Sequence, residues 1–135
     1  MKDAKMKTIY YKTLYFYDKL LDWVVFKFFN PYKVNPGGNC PVQAEGKLEN
    51  GGWFYFRARG TRWSLEVFRE ESDFTNYSFD KPIFATGDAN YRKWPEAGWL
   101  TRRECIKLAT KGINKCYQNQ YLILLRAAAI DGKTT

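Results

Sequence analysis

The stretch WFYFRARGTRWSLEV (53–67) decides the fold of this chain. On either side of Gly60-Thr61, large apolar side chains occupy every second position, which is the periodicity of a β-strand. A glycine at the first position of a two-residue loop is typical of the type II′ turn of a β-hairpin. With this loop, Arg59 lies opposite Arg62, and one face of the hairpin becomes entirely apolar. That inward face comprises Phe54, Phe56, Ala58, Trp63, Leu65 and Val67.

A third strand precedes this hairpin at VQAEGKL (42–48), and the Asn-Gly dipeptide after it is a strong signal for a turn. A two-residue loop would turn the charged side chains of Glu45 and Lys47 into the core. A three-residue loop at 50–52 instead keeps the apolar side chains of all three strands on one face. We therefore predict three antiparallel strands, at 42–48, 53–60 and 62–69.

Residues 4–29 are predicted to form a helix, which ends at Asn30-Pro31. One face of this helix is apolar, and the opposite half mixes charged residues with aromatic ones. The apolar face comprises Tyr10, Leu14, Tyr17, Leu20, Leu21, Val24, Val25 and Phe28. Two interpretations remain open. The helix packs on the sheet with its second face partly covered by loops, or it presents a surface for self-association or for a partner.

After the three strands, PIFAT (82–86) is predicted to be a fourth strand, followed by a turn-rich loop at 87–100. The sequence Thr-Arg-Arg-Glu at 101–104 is a capping box, which begins a helix that we expect to reach residue 118. The run 120–130 is compatible with a helix or a buried strand, and we favour a helix.

These elements predict one α+β domain, in which an antiparallel meander of about four strands packs against an N-terminal and a C-terminal helix. A linker rich in Pro and Gly separates the first helix from the sheet. The predicted segments are the helix 1–30, the linker 31–41, the meander 42–86, the loop 87–100 and the helical region 101–130.

Composition narrows the possible functions. The chain has 135 residues, is 45% hydrophobic and carries a net charge of +8, which favours anionic partners such as nucleic acid, nucleotides, an acidic protein surface or anionic lipid. Because the chain has no histidine, histidine-based catalysis and the usual catalytic zinc sites are excluded. Its three cysteines fit reduced thiols in a cytoplasm, and the charges within 9–29 argue against a membrane-spanning segment.

The outward face of the predicted sheet carries the first candidate binding residues. Trp53 and Tyr55 lie there with Arg57, and both rings are able to stack on a nucleic-acid base. Arg57 is expected opposite Glu45 and diagonal to Glu66, where a cross-strand ion pair would explain it.

Arg59 and Arg62 need a different explanation, since like charges that face each other across strands are destabilising. Two interpretations remain open for this pair. An external anion lies between the guanidinium groups, which bind phosphate in a bidentate way, or nearby carboxylates neutralise them. The candidate carboxylates are those of Glu70, Glu71, Asp73 and Asp88.

Further basic residues are candidate contacts for an anionic partner. Arg92 and Lys93 lie in the loop NYRKWPEAGW (90–99), whose tryptophans are more typical of a packed corner than of a binding site. Lys107 and Lys111 belong to a stripe along the capped helix, together with Arg103 and Lys115, and such stripes are usually solvated faces. The binding candidates are Arg59, Arg62, Trp53, Tyr55, Arg57, Arg92, Lys93, Lys107 and Lys111.

Three motifs, CPVQAEG (40–46), FYFRARG followed by WSLEV (54–67) and WPEAGWLTRRE (94–104), resemble small accessory proteins of bacteriophages, prophages and other mobile elements. The resemblance covers roughly residues 40–117 and leaves the first helix outside. It implies a protein that is expressed during infection, of a kind that often binds and disables a host defence component. It implies no active-site residue.

We therefore expect a non-catalytic binding protein in the cytoplasm of the host cell, which uses no metal or cofactor. Its expected partner is nucleic acid, a nucleotide or a host complex that handles nucleic acid. One alternative is an inhibitor that acts by protein contact through the aromatic first helix, which is also a possible site of homo-oligomer formation. The other alternative is an enzyme that uses Cys40 or a carboxylate such as Glu45 or Glu66.

Overall fold

A computed structural model describes residues 2–75 and 82–133, with the side chains of the last helix as far as residue 120. The chain forms an N-terminal helix, a four-stranded antiparallel sheet in the order β1-β2-β3-β4 and a long C-terminal helix, which confirms the predicted α+β class. The elements are α1 (Lys2–Phe28), β1 (Val42–Lys47), β2 (Trp53–Arg59), β3 (Arg62–Phe68), α2 (Glu71–Thr75), β4 (Phe84–Asp88), a 3₁₀ turn (Glu96–Trp99) and α3 (Arg102–Lys133).

The register of the central hairpin is the predicted one. Arg59 pairs with Arg62 and Ala58 pairs with Trp63, and the φ angle of Gly60 is 66°, as the first position of a type II′ turn requires. The alternate apolar residues of β2 and β3 are buried, since Phe54 and Phe56 have no exposed surface. The inward and outward faces of the sheet are therefore assigned correctly from the sequence.

The pairing of β1 with β2 differs from the prediction by two residues. The loop is three residues long as expected, but it spans 49–51, because the Leu48 amide donates to the Gly52 carbonyl at 2.7 Å. A three-residue hairpin loop needs a left-handed residue at its last position, and Gly51 supplies it with a φ of 89°. The shift by two preserves which side chains face inward, but it changes every cross-strand neighbour.

The core lies between the inward face of the sheet and α3. The predicted apolar side of α3 is buried. The helix approaches the sheet closely at Gly112, where an added Cβ atom would stand 2.7 Å from Leu65 Cδ2. Val34 and Leu100 close the core at its edges. The buried side of α3 comprises Cys105, Ile106, Leu108, Ala109, Gly112, Ile113 and Cys116.

α1 does not pack on the sheet, contrary to the first of the two interpretations offered above. None of its residues is buried, and of its partly buried apolar residues Val25 packs against the core cluster. The physical reason is that α3 already covers the inward face of β3 and β4, so that α1 lies against α3 instead.

The C-terminal half of the chain shows two smaller differences. α3 continues without a break through 120–130, so the preference for a helix there is confirmed. β4 begins at Phe84, two residues later than predicted, after the Ile83 amide has bonded to the Val67 carbonyl at 2.8 Å. Among the described residues, no helix combines the length and apolar character that crossing a membrane requires.

Candidate functional site: an arginine-rich hairpin tip

The outward face of the sheet has two different ends. At one end, α2 covers the strands, because Phe74 packs on Tyr55 with ring centroids 5.0 Å apart and on Phe68 at 5.5 Å. This end also holds the acidic residues that begin α2. The Tyr55 hydroxyl donates to Gln43 Oε1 at 3.2 Å. The structure thus engages the Tyr55 ring in protein contacts.

Trp53 lies at the same covered end and is half-buried. Its indole N–H is buried and has no hydrogen-bond acceptor within the described residues. The two aromatic side chains that the sequence places on the binding face are therefore next to α2, and the arginines lie further along the strands. A separation of four residues along β2, from Tyr55 to Arg59, corresponds to roughly 13 Å.

The opposite end, the hairpin tip, carries three exposed arginines: Arg57, Arg59 and Arg62. The expected pair between Arg57 and Glu45 is wrong, because the shifted β1 register sets Arg57 opposite Gln43 and Ser64. In the part of the chain that the structure describes, no carboxylate forms an ion pair with any of the three arginines.

The carboxylates proposed as internal partners of the arginine pair lie elsewhere. Asp88 is paired in register with Trp63, whose side chain faces inward, and its Oδ1 accepts from the Asn90 amide at 2.9 Å. Glu70, Glu71 and Asp73 lie at or beside α2, and none of them forms an ion pair among the described residues. The charges of Arg59 and Arg62 thus face each other without a described counter-charge.

The loop 89–99 wraps around the hairpin tip. The Tyr91 amide donates to the Thr61 carbonyl at 2.8 Å, and the Thr61 hydroxyl donates to the Ala89 carbonyl at 2.7 Å. From the other side, the Ala97 amide donates to the Gly60 carbonyl at 3.0 Å. These bonds hold the loop against the turn, so the central hairpin and the loop 89–99 form one surface.

Trp94 is the aromatic residue of this surface. Its ring lies over Gly60, where an added Cβ atom would approach within 3.3 Å of the indole, and the residue is 76% exposed. Trp99 is also 61% exposed. The expectation of a packed tryptophan corner is therefore wrong, because the Trp94 ring rests on a glycine backbone that offers no side chain to cover it.

The two basic residues of the loop have different surroundings. Arg92 forms an ion pair with Glu104 at the start of α3, and its guanidinium lies 5.3 Å from the centroid of the Tyr91 ring. Lys93 is exposed and has no ion-pair partner among residues 2–75 and 82–120. Arg92 therefore anchors the loop to α3, while Lys93 adds a positive charge to the tip surface.

The basic stripe of α3 is not part of the tip. Arg103, expected to be solvated, forms ion pairs with Asp18 at 2.7 Å and Asp22 at 3.2 Å, and thereby holds α1 against α3. Lys107 lines a cleft of about 370 Å³ between the same two helices. Lys111 is exposed one turn further along α3. The periodic spacing indicated a solvated face but contained no sign of the α1 contact.

The residues considered for catalysis have different surroundings. The burial of Cys105 raises the pKa of its thiol to about 12, and burial also raises the pKa of Cys116, so both thiols stay protonated at neutral pH. Cys40 is exposed. Glu45 and Glu66 are both paired in register with Tyr55, which lies between them in place of the expected Arg57.

No protein-family model matches this chain, and no curated protein or solved structure matches it either. The resemblance to phage accessory proteins therefore stays a prediction that rests on the three motifs alone. In the structure, these motifs meet: the 3₁₀ turn of the third motif bonds Gly60 of the second, and the Cys40 amide of the first donates to the Gly98 carbonyl at 2.7 Å.

Proposed function

We propose that this protein is a non-catalytic binding protein, which engages an anionic partner through its hairpin tip. The partner favoured by the chemistry of the tip is single-stranded nucleic acid. The observation that carries this proposal is the open Arg59–Arg62 pair beside the highly exposed ring of Trp94. Two positive charges and an exposed aromatic ring thus lie at the same turn.

Each part of the tip has a physical role in this proposal. Guanidinium groups bind phosphate oxygens in a bidentate way, and a phosphate between Arg59 and Arg62 would relieve the repulsion of two like charges. An exposed indole offers a stacking platform that accepts any base. The net charge of +8 would steer a polyanion towards the protein from solution.

The resemblance of the three motifs supports a biological setting for this activity. In this proposal, the protein is an accessory protein of a phage or a related mobile element and acts in the cytoplasm of the host cell. A host defence complex that handles nucleic acid is the expected target. Binding of the nucleic acid itself is the part of the proposal that a purified protein tests directly.

The test measures binding of a labelled oligothymidine of about 20 nucleotides, longer than the roughly 4–16 nucleotides covered by one small binding fold. We expect fluorescence anisotropy to show binding that weakens steeply with salt. Arg59→Gln combined with Arg62→Gln should weaken binding about tenfold or more and reduce the salt slope by about 1.4, since each lost phosphate contact contributes about 0.7. Trp94→Ala should weaken binding about tenfold while leaving the slope unchanged.

The matched control is Lys2→Gln combined with Lys5→Gln, which removes the same charge from the far end of α1. This control should retain most of the affinity. An equal loss in the control would mean that only the net charge matters, and absence of binding at low salt would contradict the proposal. Loss of stability in the double arginine variant, with binding unchanged, would show that the arginines act within the protein.

A further inference from the structure

α1 exposes more large apolar side chains than any other element of the described structure. It is 27 residues long, and none of its residues is buried. Folded chains that act as monomers rarely expose contiguous apolar patches larger than a few hundred Å². The exposed large apolar residues of α1 are Met6, Ile9, Tyr10, Tyr11, Leu14, Tyr15, Phe16, Tyr17, Leu20, Leu21, Trp23, Phe26 and Phe28.

One row of these side chains follows a heptad pattern. Its members recur at alternating steps of four and three residues, which is the spacing of the a and d positions in a coiled coil. An average step of 3.5 residues keeps such a row on one side of the helix over its whole length. The row, called the seam from here on, comprises Tyr10, Leu14, Tyr17, Leu21, Val24 and Phe28.

α3 contacts α1 beside the seam and leaves it open. Asp18 forms an ion pair with Arg103 and Val25 packs on the core, and these two residues lie seven apart at the position next to the seam. Asp22, the second partner of Arg103, lies further round the helix from the seam. The seam residues other than half-buried Val24 stay exposed, from 47% for Leu14 to 65% for Phe28. The contact with α3 thus fixes the orientation of α1 and turns the seam away from the rest of the chain.

The lysines of α1 distinguish a protein partner from a membrane surface. Three of its six lysines, Lys5, Lys12 and Lys19, recur every seven residues at the heptad position farthest from the seam. In a helix that lies on lipid, lysines flank the apolar face and reach the headgroups, and on α1 only Lys27 has such a flanking position. The three regularly spaced lysines would point away from a bilayer, while in a coiled coil they would face water.

We propose that the seam pairs with the seam of a second copy of this chain, so that two α1 helices form a coiled-coil dimer. The six seam residues carry no charge, so no like charges face each other within the seam of two identical copies. Its six residues and their neighbours on α1 would bury on the order of 800 Å² per chain, which is the area of a standard stable interface. This surface is separate from the hairpin tip and does not depend on its function.

The test is sedimentation equilibrium of the full chain. We expect the wild-type protein to be a dimer, and Leu14→Lys combined with Leu21→Lys to raise the dissociation constant more than about 100-fold, since each dimer loses four buried leucines. The matched control is Ile9→Lys combined with Tyr15→Lys. It places two lysines at positions that are 64% and 66% exposed but lie off the seam. The control should remain a dimer.

Circular dichroism checks that both variants are folded. We expect both to retain the fold, because all four substituted side chains are exposed in the single chain. Several results would overturn the proposal. These are a wild-type monomer at about 100 µM, a dimer that persists in the seam variant, or a control that dissociates as readily. A monomer that instead sediments with phosphatidylglycerol vesicles would assign the seam to a lipid surface and would also overturn it.

Discussion

The two long helices, α1 and α3, both carry apolar side chains at helical spacing, yet only α3 is built into the core. The side of α3 that faces the sheet contains small residues, Ala109 and Gly112, and the helix approaches Leu65 closely there. The apolar positions of α1 hold mainly aromatic rings and leucines, and no residue of this helix is buried. Apolar side chains at helical spacing therefore do not by themselves place a helix on the sheet, and in this chain the helix in the core is the one with small residues at its closest approach.

The largest expected difference between the two helices follows from truncating one apolar residue on each. Ile113 on α3 is fully buried, so Ile113→Ala should lower the free energy of unfolding by about 2–5 kcal/mol. The matched change Leu14→Ala on α1 should alter it by less than about 1 kcal/mol in dilute protein. Urea denaturation followed by circular dichroism measures both. Equal losses would mean that α1 is packed as firmly as α3.

A smaller effect is expected where the two helices touch. Arg103→Gln removes both ion pairs to α1 and should destabilise the protein by about 1–2 kcal/mol, because the Asp18 pair is half-exposed while the Asp22 carboxylate is only 12% exposed and loses its charge partner. Hydrogen exchange should accelerate in the second half of α1 and stay slow around Ile113. Lys111→Gln, an exposed change on the same helix, is the control and should leave both rates unaltered. Unchanged exchange in the Arg103 variant would show that α1 is held by other contacts.

The smallest expected change in stability at neutral pH comes from the buried thiols of α3. Burial raises the pKa of Cys105 from 9.0 to about 12, so the folded state holds this proton more tightly than the unfolded chain. The stability that the protonated Cys105 thiol contributes is therefore complete below pH 9.0 and is lost as the pH rises towards 12. Cys105→Ala should weaken that alkaline loss in thermal melts. Alkylation by iodoacetamide at about pH 8 should modify exposed Cys40 first, and rapid labelling of Cys105 would contradict the burial.

The sheet could largely be predicted from the sequence, because strand parity is a local property. The hairpin around Gly60 has one register that buries Phe56 and Trp63 together, and the structure has that register. The predicted register of β1 with β2 was wrong by two residues, because the alternation of inward and outward side chains is the same for a loop at 50–52 and a loop at 49–51. The conformational preference of Gly51 would have decided it, since the left-handed residue closes a three-residue loop.

The candidate site could be predicted only in part. The opposition of Arg59 and Arg62 follows from the hairpin register alone. The position of Trp94 over Gly60 depends on hydrogen bonds between segments about thirty residues apart, and no local pattern in the sequence indicates such a contact. For the same reason, the contacts of Tyr55 with Phe74 and of Arg103 with Asp18 became visible only in the folded chain.

The 3₁₀ turn Glu96–Trp99 joins parts of the chain that are distant in sequence, since it bonds Gly60 through Ala97 and Cys40 through Gly98. Contacts between distant segments require loop closure, which opposes them entropically until much of the chain is ordered. We therefore expect these bonds to form late in folding, after the hairpin, whose contacts are local in sequence. A partly folded chain with β2 and β3 already paired would then still lack the surface that joins the arginines to Trp94.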